Sequence, residues 1–135
     1  MSSTPEAIDV ANLPVAPLNE LLGMTVDHVD AERVVVTLPV KPELHQPFGV
    51  VHGGVYCAMV ETAVSYGATV AAGGGMVVGV SNHTDFLRAT RDGVLRGEAR
   101  RIQLGRSLQL WEVAITDDQD RLVAHGRVRL MQLEG

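Results

Sequence analysis

The strongest constraint on this chain is one long apolar segment, residues 54–72 (GVYCAMVETAVSYGATVAA), in which Glu61 is the only charged residue. His52-Gly53-Gly54 opens it and Gly73-Gly74-Gly75 closes it. A glycine-bounded run of this length and composition predicts a buried helix. Such a helix must be covered, and 135 residues suffice for one domain with a real core but not for two. The cover available is β-structure. Residues 24–30 and 33–40 read as strands before the helix, and 77–88, 94–104, 107–116 and 121–133 as four strands after it. Turn signals at Thr90–Gly93, Gly105 and Asp117–Asp120 separate the last four. The final strand alternates well, with Leu122, Ala124, Gly126, Val128 and Leu130 on one face. Short connections favour antiparallel neighbours. The expectation is an α+β fold: one long helix wrapped by a curved antiparallel sheet of about six strands. Residues 1–16, with Pro5 and Pro14, read as a flexible arm, and residues 17–135 as one domain that begins with a helical turn at 17–23. Residues 41–51 read as a loop.

On a 3.6-residue period Val55, Met59, Ala63 and Tyr66 fall near one face, with Val60, Val64 and Gly67 close by. Cys57, Ala58, Glu61, Ser65 and Ala68 fall on another. The second stripe is small residues with one acid among them, which lets a ligand or another chain approach. A carboxylate there is costly unless it is paired or used. The plainer explanation is that Glu61 pairs with an arginine or faces water, but no charged neighbour marks a solvated face of this helix. His52-Gly53-Gly54 sits where free N–H groups and the helix dipole favour negative charge, which suits a developing oxyanion. A glycine-rich turn into a helix explains the same residues more simply. Gly53 and Glu61 are eight residues apart, roughly 12 Å along a helix. If both act on one carbonyl, the glutamate comes from a second chain.

Composition narrows the function classes. Net charge is −5, which argues against a nucleic-acid partner. Residues 1–87 hold Arg33 and Lys41 against nine acids, whereas residues 88–129 hold nine arginines against six acids. That bias suggests a local anion site, or arginines on the solvated face of a sheet. The polar residues Glu61, Thr62, Ser65 and Thr69 argue against a membrane span, and the N-terminus carries no signal-peptide pattern. The lone Cys57 fits a reducing, cytoplasmic compartment and reads as a packing residue. The five histidines are scattered without metal-ligand spacing, so no metal and no cofactor are expected. Gly79-Val-Ser81-Asn-His83 lacks the second glycine of a nucleophile elbow.

His52-Gly-Gly, followed nine residues after the histidine by an acid in a long helix, resembles the hotdog-fold thioesterases, in particular the PaaI-type subgroup with the glutamate-using 4-hydroxybenzoyl-CoA thioesterase. The resemblance covers residues 18–133. It includes Gln46-Pro-Phe-Gly49, His83-Thr-Asp-Phe-Leu-Arg88, Gly105-Arg106-Ser107 and Leu122-Val-Ala124. It implies hydrolysis of an aryl- or medium-chain acyl-CoA. Gly53 would polarise the thioester carbonyl, and the partner chain's Glu61 would be nucleophile or general base. Gln46 and His52 would orient the thioester or the loop, and Ser65 would hold the water. Gly54, Asn82, His83, Arg88, Gly105, Arg106 and Ser107 would contact substrate or CoA. The resemblance also implies self-association as a homodimer with shared sites, and points to a homotetramer, although the sequence does not choose between dimer and tetramer. A non-catalytic acyl-CoA-binding module and a hydratase or dehydratase remain on the same fold.

Overall fold

A computed structural model describes residues 4–14 and 16–133. A 3₁₀ turn at Val10–Asn12 precedes α1 (Pro17–Leu22), which ends at Gly23 with φ 81°. Strands β1 (Thr25–Val29) and β2 (Arg33–Pro39) follow, then a second 3₁₀ turn at Pro42–Leu44 inside the predicted loop. The long helix is α2, Gly53–Ala71. After it come β3 (Val77–Phe86), β4 (Val94–Leu104), β5 (Leu108–Thr116) and β6 (Leu122–Gln132). All six strands form one sheet in the order β1-β2-β4-β5-β6-β3, and every neighbouring pair is antiparallel. The expected architecture is present, one long helix against one curved sheet.

The sheet wraps α2 because both present matching apolar surfaces. Met59, Val60, Ala63 and Val64 of α2 are fully buried against Val34, Val36, Leu38, Leu95, Trp111, Val113 and Ile115. Gly67 lets the helix settle on the sheet, since a Cβ there would collide with the Trp111 ring and Val34. The helix stops where Gly73 and Gly74 take left-handed backbone, φ 71° and 86°. The Gly74 N–H then returns to the Thr69 carbonyl at 2.9 Å. Gln109, only 1% exposed, is a polar member of this core with every bond accounted for. Its Nε2 donates to the Ala68 carbonyl and to Gln132 Oε1, and its Oε1 accepts from Trp111 Nε1.

Two helix positions differ from the periodicity. Ala68 lies in the core and not in the Glu61 stripe, because α2 leans its C-terminal half onto β5 at Gln109. Tyr66 is only half-buried and faces the N-terminal segment, where its hydroxyl donates to the Pro14 carbonyl at 3.1 Å. That segment also meets β1, through Ile8 N–H to the Val29 carbonyl at 2.8 Å. The predicted arm includes residues 1–3 and 15, which lie outside the described residues.

The arginine bias has a structural reading on the outer sheet face. Glu98 is held by Arg33 at 2.9 Å, Arg100 at 2.8 Å and Arg96 at 3.5 Å. Burial raises the Glu98 carboxyl, but the hydrogen bond from Arg33 and the three charges outweigh it and hold it below the usual range. Arg88 and Arg106, by contrast, have no carboxylate within ion-pair distance among the described residues. Among those residues no helix is long and apolar enough to cross a membrane.

Candidate active site

The start of α2 is arranged by His52. Its backbone is extended, and its Nδ1 accepts the Gly54 N–H at 2.8 Å. In the neutral ring this leaves the proton on Nε2. The Val55 N–H bonds to the His52 carbonyl at 2.9 Å. The Gly53 N–H is left with no acceptor among the described residues. It opens into a cleft of about 310 Å³ lined by Gln46, Val51, Gly53, Tyr56, Phe86 and Arg88, among others.

The cleft wall over Gly53 is aromatic. A Cβ at Gly53 would stand 2.5 Å from the Phe86 ring, so only glycine lets the ring lie this close to the backbone. Phe86 in turn leans on Tyr56, with ring centroids 5.9 Å apart and tilted by 36°. Burial pushes the Tyr56 phenol up and outweighs the opposing contact with Thr90, so Tyr56 is neutral. Gln46 accepts the Phe48 N–H on its Oε1, which leaves its amide N–H donors uncommitted. Arg88 joins the cleft because the N–H groups of Leu87 and Arg88 both turn in to the Val123 carbonyl, ending β3 at Phe86.

Glu61 lies elsewhere. It is half-buried rather than enclosed, on the open side of α2 facing β3. No cation pairs with it among the described residues. Among the described residues its one side-chain partner is Asn82, whose Nδ2 reaches Glu61 Oε2 at 3.3 Å and the Cys57 carbonyl at 3.2 Å. Gly79 makes room for the other oxygen, since a Cβ there would stand 2.6 Å from Glu61 Oε1. The carboxylate borders two grooves. One, of about 400 Å³, runs between α2 and β3. The other, of about 270 Å³, is lined by Ala16, Asn19, Thr62, Ser65, Tyr66 and Thr69. Ser65 therefore does share a groove with Glu61, although its hydroxyl donates to the Glu61 carbonyl at 2.7 Å. Neither groove reaches Gly53, and the Gly53 cleft does not reach Glu61.

The other candidates divide the same way. Gly53, Gln46 and Arg88 meet in the cleft, with His52 at its edge capping the helix. Gly54 is next to them but its N–H is taken by His52. Asn82 belongs to the Glu61 side. His83 faces the opposite side of the sheet, 81% exposed and 3.6 Å from Asp85. Gly105, Arg106 and Ser107 form the turn from β4 to β5, tied by the Gly105 N–H to the Leu108 carbonyl and by Gln132 Nε2 to the Gly105 and Arg106 carbonyls. That turn is at the C-terminal end of α2, beside neither the cleft nor the grooves. Sequence reasoning missed Phe86, Tyr66 and Asn19 as lining residues, and the role of Asn82 as the partner of the carboxylate.

The model of the thioesterase superfamily matches residues 48–124, the span from the loop before α2 into β6. The structure of Rv1847 from Mycobacterium tuberculosis superposes with a TM-score of 0.87 at 46% identity, over 89% of this chain and 98% of that one. The proofreading thioesterase EntH of Cronobacter turicensis is 35% identical over 93% of this chain and 90% of its own length. The 1,4-dihydroxy-2-naphthoyl-CoA hydrolase of Listeria monocytogenes is 34% identical over 82% of this chain and 90% of its own. The chain belongs to the thioesterase superfamily, with the hotdog fold, and is an enzyme of its thioester-hydrolase class.

Proposed function

We propose that this chain hydrolyses acyl-CoA thioesters at sites shared by two protomers. The observation that carries the reading is the separation just described. An uncommitted N–H at Gly53 and an unpaired carboxylate at Glu61 line different cavities of one protomer. They meet if two β3 edges pair antiparallel about a twofold axis, since the two helices then run in opposite directions side by side. The exposed apolar residues Met76, Val78 and Val80 at and beside this edge favour such pairing.

In this arrangement the thioester carbonyl lies at Gly53, whose N–H takes the charge that develops on oxygen. Phe86 keeps water from that side, and the Gln46 amide and His52 hold the loop and the thioester in place. Glu61 of the other protomer attacks the carbonyl carbon or takes a proton from the attacking water. Asn82 holds the carboxylate toward the substrate, and Ser65 offers lone pairs to the water. Collapse of the tetrahedral species releases CoA as its thiolate. Attack by water leaves the acid directly, whereas attack by Glu61 leaves a mixed anhydride that a water then splits into the acid and the free carboxylate. The same twofold axis carries one protomer's β4–β5 turn toward the other's cleft. Arg88, with Gly105, Arg106 and Ser107 of the other protomer, then meets the CoA phosphates. CoA esters and the unpaired Cys57 both suit a reducing cytoplasm.

The acyl group occupies the Glu61 groove lined by Asn19, Thr62, Ser65 and Tyr66, and the relative named as a 1,4-dihydroxy-2-naphthoyl-CoA hydrolase makes aryl-CoA the first class to try. The test is thiol release from aryl-, phenylacetyl- and straight-chain acyl-CoAs by wild type, Glu61→Ala and Glu61→Gln. Turnover by wild type that both folded variants lose supports the reading. Binding of CoA esters without thiol release would make the chain a binding module instead.

A further inference from the structure

The Glu61 groove has a neighbour. A second groove, of about 200 Å³, lies beneath the N-terminal segment, with Val10, Leu13, Met24 and Val26 among its walls. The two grooves share Ala16, Asn19 and Tyr66. Tyr66 is the largest of the three and is tied on both sides of its hydroxyl. It donates to the Pro14 carbonyl at 3.1 Å and accepts from Asn19 Nδ2 at 3.4 Å. Asn19, only 7% exposed, is steadied in turn by Thr62 Oγ1 on its Oδ1. The ring is therefore pinned between a groove beside the carboxylate and a second groove beyond it. The groove on the Glu61 side is lined by Thr62, Ser65 and Thr69, whose hydroxyls already donate within the protein, whereas the far one sets Glu20 and Thr25 beside its aliphatic side chains.

We propose that Tyr66 sets the upper size of the acyl group, by closing the Glu61 groove against the aliphatic space under the N-terminal segment. The proposal rests on the acyl group occupying the Glu61 groove. It makes the chain selective for short or single-ring acyl groups, because a longer chain meets the ring before it reaches Val10, Leu13 and Val26. It also gives those residues a use in a Tyr66 variant, where a straight chain can continue along Val10, Leu13, Met24 and Val26.

The test uses the full chain and non-hydrolysable S-alkyl-CoA thioethers, from butyl to dodecyl, with affinity measured by calorimetry. In wild type each added methylene tightens binding by about fourfold until the chain meets Tyr66, and then gains nothing. In Tyr66→Ala the gain continues for further methylenes. In Tyr66→Phe, which keeps the ring and loses the hydroxyl bonds, the limit stays where wild type has it. Val10→Trp added to Tyr66→Ala fills the far groove and restores the limit. The same break point in wild type and Tyr66→Ala overturns the proposal, as does an extension that Val10→Trp leaves untouched, or no binding of any thioether. Turnover of the matching thioesters is scored separately. A break point that moves with Tyr66 in a protein that hydrolyses none of them would sink the hydrolase reading and leave the partition standing.

Discussion

The two edges of the sheet are finished differently. At one edge β1 is short, carries a bulge at Val26/His28, and is met by the N-terminal segment through Ile8. At the other, β3 is twice as long and exposed along nearly all its length, with Val80 55% exposed. An open apolar edge is an aggregation hazard unless something pairs with it. Glu61 looks toward that open edge, and so does the groove of about 400 Å³ beside it. A protomer complete on its β1 side and incomplete on its β3 side is what a shared site requires.

The comparison is broken most severely at the carboxylate. Glu61→Gln is expected to lower kcat by about 10²- to 10⁴-fold while circular dichroism and oligomeric state stay as in wild type. An edge substitution comes next. Val80 has no partner on β6, because the register slips between Gly79 and Ser81. Val80→Lys places a charge on the edge without breaking the β3–β6 ladder. Sedimentation should show monomer, and turnover should fall with the loss of dimer. Asp27→Lys, on the exposed β1 edge, should change neither; if it acts like Val80→Lys, the two edges are not different in kind.

The two faces of α2 give a smaller contrast. Met59→Ala empties a fully buried site and should cost about 2–5 kcal/mol in urea unfolding. Cys57→Ala on the groove face should cost less than about 0.5 kcal/mol. The smallest effect belongs to acid on the β1–β4 side. Asp30 and Glu98 are both held below their ordinary values of 3.8 and 4.5. For Asp30, burial raises the carboxyl, but His28 and the N–H groups of Glu32 and Arg33 outweigh it. With folded values lower than unfolded ones, the unfolded chain binds more protons through that range. The stability these groups lend is present above their ordinary values and is lost as pH falls through the folded ones. Urea midpoints should decline there, and Glu98→Gln should flatten the decline.

The elements were legible in the sequence because each carries its own signal. The glycines around residues 54–72 fixed α2 within a residue, and β5 alternates buried and open side chains along its length. What was not legible depends on register between distant strands. Simple alternation would put His83 on the same face as Gly79. The bulge at Val80 reverses this, turning Asn82 toward Glu61 and His83 outward, and no residue type marks it. Nor does the sequence say that β3 pairs with the last strand and so becomes an edge. The roles of Tyr66 and Asn19 depend on α1 and the N-terminal segment folding back against α2, a contact between residues far apart in the chain.

The central claim is that Gly53 and Glu61 of different protomers make one site, and complementation tests it most directly. Glu61→Gln and Gly53→Ala proteins, each inactive alone, are unfolded together at equal amounts, refolded and assayed for thiol release. Half of the dimers should be mixed, each with one intact site, so activity should return to about a quarter of wild type. No recovery, with mixed dimers shown to be present by mass spectrometry, would contradict a shared site and return both groups to a single chain.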